Sequence, residues 1–374
     1  MFVCKYNFRD CEYFIHRSPH QPTTSLTPAI ATVSLGRATA GYQLPSKIRS
    51  AAAHSIRGVE IFYECLEQRA IELTGSLSAD GLLEVAAETA YSCKQYRIKV
   101  VCLQPFLFFE GLTDKAARAA AFERLKLWFK LCHILETNLI QIPTNFQQHN
   151  TTGEADQIVT DLTEAALLGL QESPVIRLAY EGVSWGTHID TWDGSWEIVK
   201  RINLPNLGLC LDTFHVTARL WGDPAASTGR RPTGDTDLTA SLEKMVTELD
   251  VDKVFYVQVG DAERLSSPIT PHHEFYDPKQ HERMSWSRNA RLFAFEHDKG
   301  AHLPVDQVLD TLVRRLGYRG WVSMEMFSTG LYKQDLDLPE HLARRAEISW
   351  EKTIQFLKHR EIVSDQCLAN PSLL

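Results

Sequence analysis

Short apolar runs rich in β-branched residues recur along the chain, separated by longer stretches with apolar residues at helical spacing. The runs are nearly continuous rather than alternating, which is typical of strands covered on both faces. They span residues 30–36, 58–63, 99–105, 139–144, 175–182, 207–215, 254–261 and 321–327. The intervening stretches predict helices over residues 79–96, 114–136, 155–170, 236–249, 303–316 and 339–358, and Asp114 is placed to cap the second.

This alternation predicts an α/β fold, a (β/α)₈ TIM barrel over residues 29–360. A doubly wound open sheet is the structural alternative. It usually carries a glycine-rich phosphate loop after the first strand, and residues 34–44, SLGRATAGYQL, do not match G-x-G-x-x-G. Residues 1–28 are expected to form a loosely ordered N-terminal extension, and residues 361–374 a C-terminal tail.

Two connections interrupt the rhythm of strands and helices. About 40 residues, 262–302, follow the seventh strand, and a loop of this length in a compact domain is usually functional or disordered. On a barrel it would cover the C-terminal face, where active sites occur. The Gly/Pro/Thr-rich residues 221–237 after the sixth strand are expected to form a solvated loop.

Charge and cysteine usage narrow the function classes. The formal net charge is −8, so the broad basic face of a nucleic-acid-binding protein is not expected. No apolar run reaches the roughly 18 residues of a membrane-spanning helix, so no membrane partner is expected. The cysteines are scattered without a C-x-x-C pair, which predicts reduced thiols in a cytoplasmic protein. They are Cys4, Cys11, Cys65, Cys93, Cys102, Cys132, Cys210 and Cys367.

Polar residues interrupt the last four predicted strands near their carboxyl ends. They are Glu181, Asp212, Gln258 and Glu325. On a barrel, such residues converge at the mouth, where the three carboxylates would repel one another unless a positive charge compensates them. A divalent cation such as Mg²⁺, Mn²⁺, Co²⁺ or Zn²⁺ suits these oxygen ligands, with the Gln258 amide the weakest of the four. The alternative is that each acid pairs separately with a lysine or arginine.

Two histidines near these acids are candidates for proton transfer at neutral pH. His215 follows Asp212 by three residues, and His188 follows Glu181 in the sequence EGVSWGTHID. Either could instead be an ordinary packed or surface histidine. Both alternatives remain open from the residues alone.

The long connection offers groups that could bind an anionic substrate. Ser287, Arg288 and Arg291 lie in the sequence SWSRNARLF, and Ser287 and Arg291 would share one face of a helix. Arg291 could hold a carboxylate through two parallel hydrogen bonds, although an ordinary surface arginine is the alternative.

These residues lie in segments that together resemble the fungal-type 3-dehydroshikimate dehydratases over residues 29–358. The segments are YEGVSWGTHIDTW (180–192), GLCLDTFHVTA (208–218), VFYVQVGDAERL (254–265), MSWSRNARLF (284–293), GWVSMEMF (320–327), SLGRATAGYQL (34–44), GVEIFYECLE (58–67) and VVCLQPFLFFEGL (100–112). The wider superfamily is the xylose-isomerase-like barrels. Three residues depart from the family pattern. Cys65 stands where an acid is expected, and Gly182 and Gly260 stand where larger residues are frequent.

The resemblance implies a barrel with one divalent metal ion held by Glu181, Asp212, Gln258 and Glu325. It implies dehydration of 3-dehydroshikimate to protocatechuate and water through a metal-stabilised enolate. The substrate is a small molecule with a carboxylate. His215 is the expected proton-transfer group, with His188 as alternate.

The substrate would then lie among Arg291, Ser287, Arg288, Glu60 and Gln104, with Arg291 holding its carboxylate. One alternative is a metal-dependent isomerase, epimerase or tailoring dehydratase acting on a related sugar-like or secondary-metabolite ketone. Another is a catalytically silent barrel that acts as a binding protein. A homo-oligomer is compatible with any of these.

Overall fold

Eight parallel strands close into a barrel in the computed structural model, which describes residues 26–369. The strands are β1 (Thr27–Ala31), β2 (Gly58–Phe62), β3 (Lys99–Gln104), β4 (Leu139–Pro143), β5 (Arg177–Glu181), β6 (Leu207–Asp212), β7 (Val254–Val259) and β8 (Trp321–Met324). Each strand pairs with the next in the chain, and β8 pairs with β1. The predicted (β/α)₈ architecture is confirmed.

Helices follow every strand. They are α1 (Leu44–Ala53), α2 (Tyr63–Thr74), α3 (Ala79–Tyr96), α4 (Lys115–Ile134), α5 (Ala155–Leu170), α6 (Trp192–Ile202), α7 (Thr213–Leu220), α8 (Gly234–Glu248), α9 (Glu282–Ala290), α10 (Val305–Asp310) and α11 (Leu338–Ala369). All six residues of β6 are buried, as expected of a strand covered on both faces. Asp114 caps α4 by accepting a hydrogen bond from Ala116 N at 2.9 Å, as its position predicts.

The first strand lies earlier than the hydrophobic pattern predicts. It spans Thr27–Ala31 rather than residues 30–36, and Thr32–Leu35 form a 3₁₀ turn. Thr32–Leu35 are buried like the strand itself, so apolarity does not mark where the strand ends. Thr27 and Pro28, assigned to the extension, therefore belong to the barrel, whereas residues 1–25 lie outside the described part of the chain.

Several helices are not predicted by the spacing. They are α1, α2, α6, α7 and α9. Two of them, α2 and α7, begin inside apolar runs that the sequence assigns to strands, because each starts directly where its strand ends. The helix expected over 303–316 is divided into α10 and a π-helical turn at Thr311–Arg315. The last helix continues through Ala369, so residues 361–369 are helical rather than a tail.

The long connection after β7 has internal structure. Asp261–Ala262 pairs with Arg291–Leu292 in a short antiparallel ribbon, and α9 immediately precedes the second strand of this ribbon. The connection at 221–237 is mostly loop, with a bridge between Gly222 and Arg230, and α8 already begins at Gly234.

Cysteine side chains in the described region are free and buried. They are Cys65, Cys93, Cys102, Cys132 and Cys210. Cys4 and Cys11 lie outside residues 26–369, and the side chain of Cys367 is not among those described. Within residues 26–369, no helix combines the length and apolarity needed to cross a membrane.

Candidate active site

A cavity of about 750 Å³ opens at the carboxyl ends of the barrel strands. Gln104, Gln141 and Glu181 line it from three adjacent strands, and Glu325 lines it from the residue that follows β8. The long connection lines it with residues between Glu274 and Arg291. Residues of that connection therefore form part of the cavity wall. A second cavity, beside α11, contains none of the acids described below.

Four carboxylates are buried at and beneath this mouth. Glu181 ends β5, Asp212 ends β6, Glu325 follows β8, and Glu60 lies within β2. Each is 5% exposed or less. The convergence expected of the acids on the last four strands is therefore present, and Glu60 adds a fourth acid from the opposite side of the barrel.

Burial favours the neutral form of these acids, and their mutual repulsion adds to it. Burial raises the pKa of Glu60 to about 7 and that of Glu325 to about 8. It raises the pKa of Glu181 well above its usual value, with Asp212 and Glu325 contributing repulsion. The pKa of Asp212 also rises, because burial outweighs its contact with Arg291. The cluster therefore has too little positive charge around it to keep all its members ionised.

Arg291 provides the cation within this cluster. Its guanidinium donates to Asp212 Oδ2 through Nη2 and to Glu325 Oε2 at 3.0 Å through Nη1. It lies 4.4 Å from the ring centre of Phe214 and is 1% exposed. Arg291 was expected to bind a substrate carboxylate. In the structure both of its terminal nitrogens instead bind acids of the chain. The expectation of a shared helical face with Ser287 is also wrong, because α9 ends at Ala290.

Gly260 makes room for this arginine. A Cβ atom at this position would lie 2.6 Å from the Glu325 carbonyl oxygen and 2.8 Å from Arg291 Nη2. At Gly182 the corresponding atom would lie 2.5 Å from the Thr191 carbonyl oxygen. Both departures from the family pattern thus have a packing reason, since neither position has space for a side chain.

The donor set fits a divalent cation. One ligand atom from each of Glu181, Asp212 and His215 lies within 4.8 Å of the others. Clustered buried carboxylates with one arginine among them have the charge and the oxygen atoms that such an ion requires. Metal binding would favour the ionised form of each ligand.

Gln258 lies on β7 between two of the acids. Its Nε2 donates to Glu60 Oε2 at 2.9 Å and to Glu325 Oε1 at 3.0 Å, while its Oε1 accepts from Cys210 Sγ at 3.3 Å. The predicted ligand is thus in the cluster, but the amide nitrogen faces the acids. Ligation through Oε1 requires rotation of the amide.

Glu60 does not line the cavity as the sequence suggests. It is fully buried beneath the cavity, where its Oε2 accepts hydrogen bonds from Tyr256 Oη at 2.8 Å and from Gln258 Nε2. Direct contact between Glu60 and a substrate is therefore not supported. Its side chain orients Gln258 from below.

His215 is held at the cavity wall as a neutral ring. Its Nδ1 accepts from the Ser184 backbone N–H at 3.1 Å, so the proton of the neutral ring is on Nε2, which lies 3.7 Å from Asp212 Oδ2. Burial and the nearby Arg291 charge hold the pKa of His215 well below its usual value. A neutral imidazole at this position is suited to proton transfer.

His188 lies away from the acids. Its ring is exposed, its Nε2 contacts Thr151 Oγ1 at 3.0 Å, and it is not part of the cavity lining. Its position therefore gives no support to the alternate assignment of His188 to proton transfer. The chain turns after β5 so that Trp185, rather than His188, faces His215, with ring centres 4.7 Å apart.

The other predicted substrate-binding residues do line the cavity. Gln104 Nε2 donates to Glu325 Oε1 at 2.9 Å. Ser287 is buried in the wall, and Arg288 is exposed at its edge, where Nη1 donates to Gln280 Oε1 at 3.1 Å. These three residues come from opposite sides of the cavity.

Some cavity residues were not found from the sequence. Gln141 on β4 binds Glu181 through Nε2, and Arg37 pairs with Glu64 at the cavity edge. Gln141 interrupts the apolar run LIQIP in the same way as Gln258 interrupts VFYVQ, so a signal existed. Arg37 lies in a turn after β1 and had no such signal.

Comparison with known proteins gives one family match and close relatives. A model of the xylose isomerase-like TIM barrel family matches residues 48–358. The 3-dehydroshikimate dehydratase of Neurospora crassa is 42% identical over 337 residues, which cover 88% of this chain and 94% of that protein.

Among solved structures, a xylose isomerase-like TIM barrel/4-hydroxyphenylpyruvate dioxygenase fusion protein has a TM-score of 0.68 and 24% identity. The match covers 91% of this chain and 45% of that one. The IolI protein with a bound zinc atom has a TM-score of 0.63 and 18% identity, over 88% of this chain and 98% of that one. At these identities the two structures support the fold alone.

Proposed function

This chain belongs to the xylose isomerase-like TIM barrel family, and we propose that it is a metal-dependent 3-dehydroshikimate dehydratase. The reaction converts 3-dehydroshikimate to protocatechuate and water. The observation that carries the proposal is the cluster of buried carboxylates around Arg291 at the barrel mouth. The similarity to the Neurospora dehydratase along nearly the whole chain supports the choice of substrate.

Glu181, Asp212 and Glu325 would hold the cation, with Gln258 as a fourth ligand after rotation of its amide. A divalent ion in this position supplies Lewis acidity toward the ketone oxygen of the substrate. The choice among Mg²⁺, Mn²⁺, Co²⁺ and Zn²⁺ is left to the assay below. Gln104 and Gln141 keep Glu325 and Glu181 in place through their amide N–H groups.

His215 would move the proton. Loss of water requires removal of a proton alpha to the ketone and donation of a proton to the hydroxyl that leaves from the beta position. With Nδ1 accepting from the Ser184 N–H, Nε2 carries the proton of the neutral ring and can donate it to the leaving hydroxyl. Removal of the alpha proton by the same ring requires the other tautomer, in which Nδ1–H donates to Ser184 Oγ and Nε2 is free to accept. Trp185 and Phe214 pack edge-on against the ring and limit its rotation.

The substrate carboxylate would lie toward Ser287 and Arg288. Arg291 is engaged by Asp212 and Glu325, so its role in this arrangement is to position those acids. Of the three residues Ser287, Arg288 and Arg291, Arg288 is the cationic residue that remains accessible at the cavity edge. The buried free thiols support a cytoplasmic location as part of the same proposal.

The proposal is tested by adding 3-dehydroshikimate to metal-stripped protein resupplied with each of the four cations in turn. Growth of the catechol absorbance of protocatechuate in metal-loaded samples, and its absence with a chelator, is the expected result. Stoichiometric metal binding without product under any condition would contradict the dehydratase assignment. It would favour an isomerase or epimerase of a related ketone.

A further inference from the structure

Polar atoms without partners gather in the wall of the active-site cavity. Among the described residues that line it, Arg37, Glu64, Gln141, Trp185 and Arg291 each have a buried side-chain nitrogen or oxygen that makes no hydrogen bond. Buried polar groups in proteins are nearly always paired. The cavity wall therefore offers both donors and acceptors to a bound molecule.

Gln141 gives the most specific information about that molecule. Its side chain is 2% exposed and lies within β4, and its Nε2 donates to Glu181 Oε2. With Glu181 ionised, as metal binding would favour, that bond fixes the orientation of the amide, because the opposite orientation would place two acceptor oxygens against each other. The oxygen atom Oε1 remains without a partner.

The missing partner of Gln141 is a hydrogen-bond donor unless the oxygen itself ligates the cation, since an amide oxygen only accepts. The neighbouring carboxylate of Glu181 already receives the N–H of the same amide and has no proton to offer in its ionised form. A hydroxyl group on a cavity ligand meets the requirement.

We infer that Gln141 recognises one hydroxyl group of the substrate, with Oε1 accepting the hydroxyl proton while Nε2 holds Glu181. This inference rests on the proposed function for the identity of the substrate, whose ring carries hydroxyl groups beside the ketone. It makes Gln141 a specificity-determining residue that joins the metal-binding acid to the bound ring. A molecule without this hydroxyl leaves a buried acceptor unpaired, which lowers its affinity by about tenfold.

The test measures the affinity of metal-loaded protein for benzoate and its hydroxylated derivatives as competing ligands. The series contains benzoate, 3-hydroxybenzoate, 4-hydroxybenzoate, 3,4-dihydroxybenzoate and 3,4,5-trihydroxybenzoate. For each hydroxyl, the ratio of affinities with and without it gives the contribution of that group. The variant is Gln141→Met, with Gln141→Leu as a second apolar replacement of similar size.

Gln104→Met is the matched control. Like Gln141, Gln104 is a cavity glutamine whose Nε2 donates to one of the acids, but its oxygen is not among the unpaired atoms. We expect Gln141→Met to abolish the roughly tenfold contribution of one hydroxyl, measured at a metal concentration that saturates the variant, while its affinity for benzoate stays at the wild-type level. Gln104→Met should retain that contribution.

Two results would overturn the inference. One is an equal loss of affinity for benzoate and all its hydroxylated derivatives, or no hydroxyl whose contribution depends on Gln141. The other is a loss of affinity in both Gln141 variants that added metal restores in full for every ligand, which would mean that the residue acts only by holding Glu181. A dependence on Gln141 in a protein that does not dehydrate 3-dehydroshikimate would leave the hydroxyl site intact and remove only the proposed substrate.

Discussion

At the scale of single residues, the chemistry of the cavity depends on groups whose protonation is set by burial. Glu181, Asp212 and Glu325 all have raised pKa values, whereas His215 has a lowered one. A carboxyl that tends to protonate beside an imidazole that tends to stay neutral is a pair between which a proton can move at modest cost. A bound cation would shift the acids back toward their ionised forms.

Replacing His215 by asparagine tests its assignment. We expect turnover to fall by roughly 10²- to 10⁴-fold, because the proton-transfer group is lost. Metal content should stay at the wild-type level, since the acids remain. Steady-state kinetics and metal analysis measure the two effects separately.

His188→Asn is the matched control, because this histidine is exposed and outside the cavity. Its turnover should equal that of the wild type. A His215→Asn protein that no longer retains metal would identify His215 as a ligand, which its position near Glu181 and Asp212 also permits geometrically.

At the scale of elements, the ribbon formed with Asp261–Ala262 carries Arg291 into the barrel mouth. The arginine thereby connects the end of β6 with the residue after β8 through Asp212 and Glu325. The long connection is thus fastened to the barrel by a buried ionic contact. Removal of one partner from such a contact is costly, because the others remain buried and charged.

Arg291→Met should therefore destabilise the folded state by about 3–5 kcal/mol in the presence of a chelator. A divalent cation should recover part of this loss, because it compensates the same carboxylates. Urea unfolding with chelator and with Mn²⁺ measures both values. Equal stability of variant and wild type in chelator would contradict the structural role of the arginine.

The same ribbon contains a buried acid, Asp261. Its Oδ1 accepts hydrogen bonds from the backbone N–H groups of Ala262, His302 and Leu303. Burial raises its pKa to about 6 despite these bonds. Between the unfolded value near 3.8 and about 6, the folded protein holds a proton that the unfolded chain has lost. The contribution of Asp261 to stability is therefore full at low pH and is lost as the pH rises through 6.

Asp261→Asn keeps an oxygen acceptor for these three N–H groups but cannot ionise. Relative to the wild type, the variant should gain about 1–2 kcal/mol more stability at pH 8 than at pH 5. Denaturant unfolding at the two pH values provides the measurement. A difference between variant and wild type that does not change with pH would show that Asp261 is not the titrating group.

At the scale of the whole molecule, closure of the barrel brings acids from four strands or strand ends to one site. This arrangement follows from the parallel strands, whose carboxyl ends all lie at one face. Residues separated by more than 250 positions, such as Glu60 and Glu325, thereby act on the same amide, that of Gln258. A ligand that binds this site connects many strands and should stabilise the entire fold.

Addition of a divalent cation should accordingly raise the melting temperature of metal-stripped protein. At a concentration of 100 times Kd the gain is about 2.7 kcal/mol, which corresponds to an increase of roughly 5 °C. Thermal unfolding with and without Mn²⁺ provides the measurement. Glu181→Gln should lose most of the increase; an undiminished increase in that variant would place the ion elsewhere.

The sequence was sufficient for the architecture and for the acids at the strand ends. Both follow from local patterns: apolar runs of strand length, and a polar residue where each run ends. The apolar runs around Cys102 and Cys210 also predicted that these thiols are buried. Glu181, Asp212 and Glu325, which the structure brings together at the barrel mouth, all carried this signal.

What the sequence could not supply depends on contacts between distant segments. Arg291 was expected to face a substrate, but it binds acids of the chain instead. Its spacing from Ser287 does not reveal that α9 ends at Ala290 and that the ribbon directs the next residue inward. Glu60 was expected at the cavity surface but lies beneath it. The depth of a residue within a barrel depends on the stagger of the strands, which the sequence does not reveal. The unpaired oxygen of Gln141 appears only when all its neighbours are known.

The lack of space at Gly260 predicts a correlation between two positions in homologous sequences. With the Glu325 backbone and the Arg291 guanidinium each within 3 Å of where its Cβ would be, this position cannot gain a side chain unless both of them shift. Homologous chains with a larger residue there should therefore differ in the placement of the arginine and of the segment around Glu325. Phylogenetic surveys should therefore find glycine at this position inherited together with the arginine, and a change in either one accompanied by a change in the other.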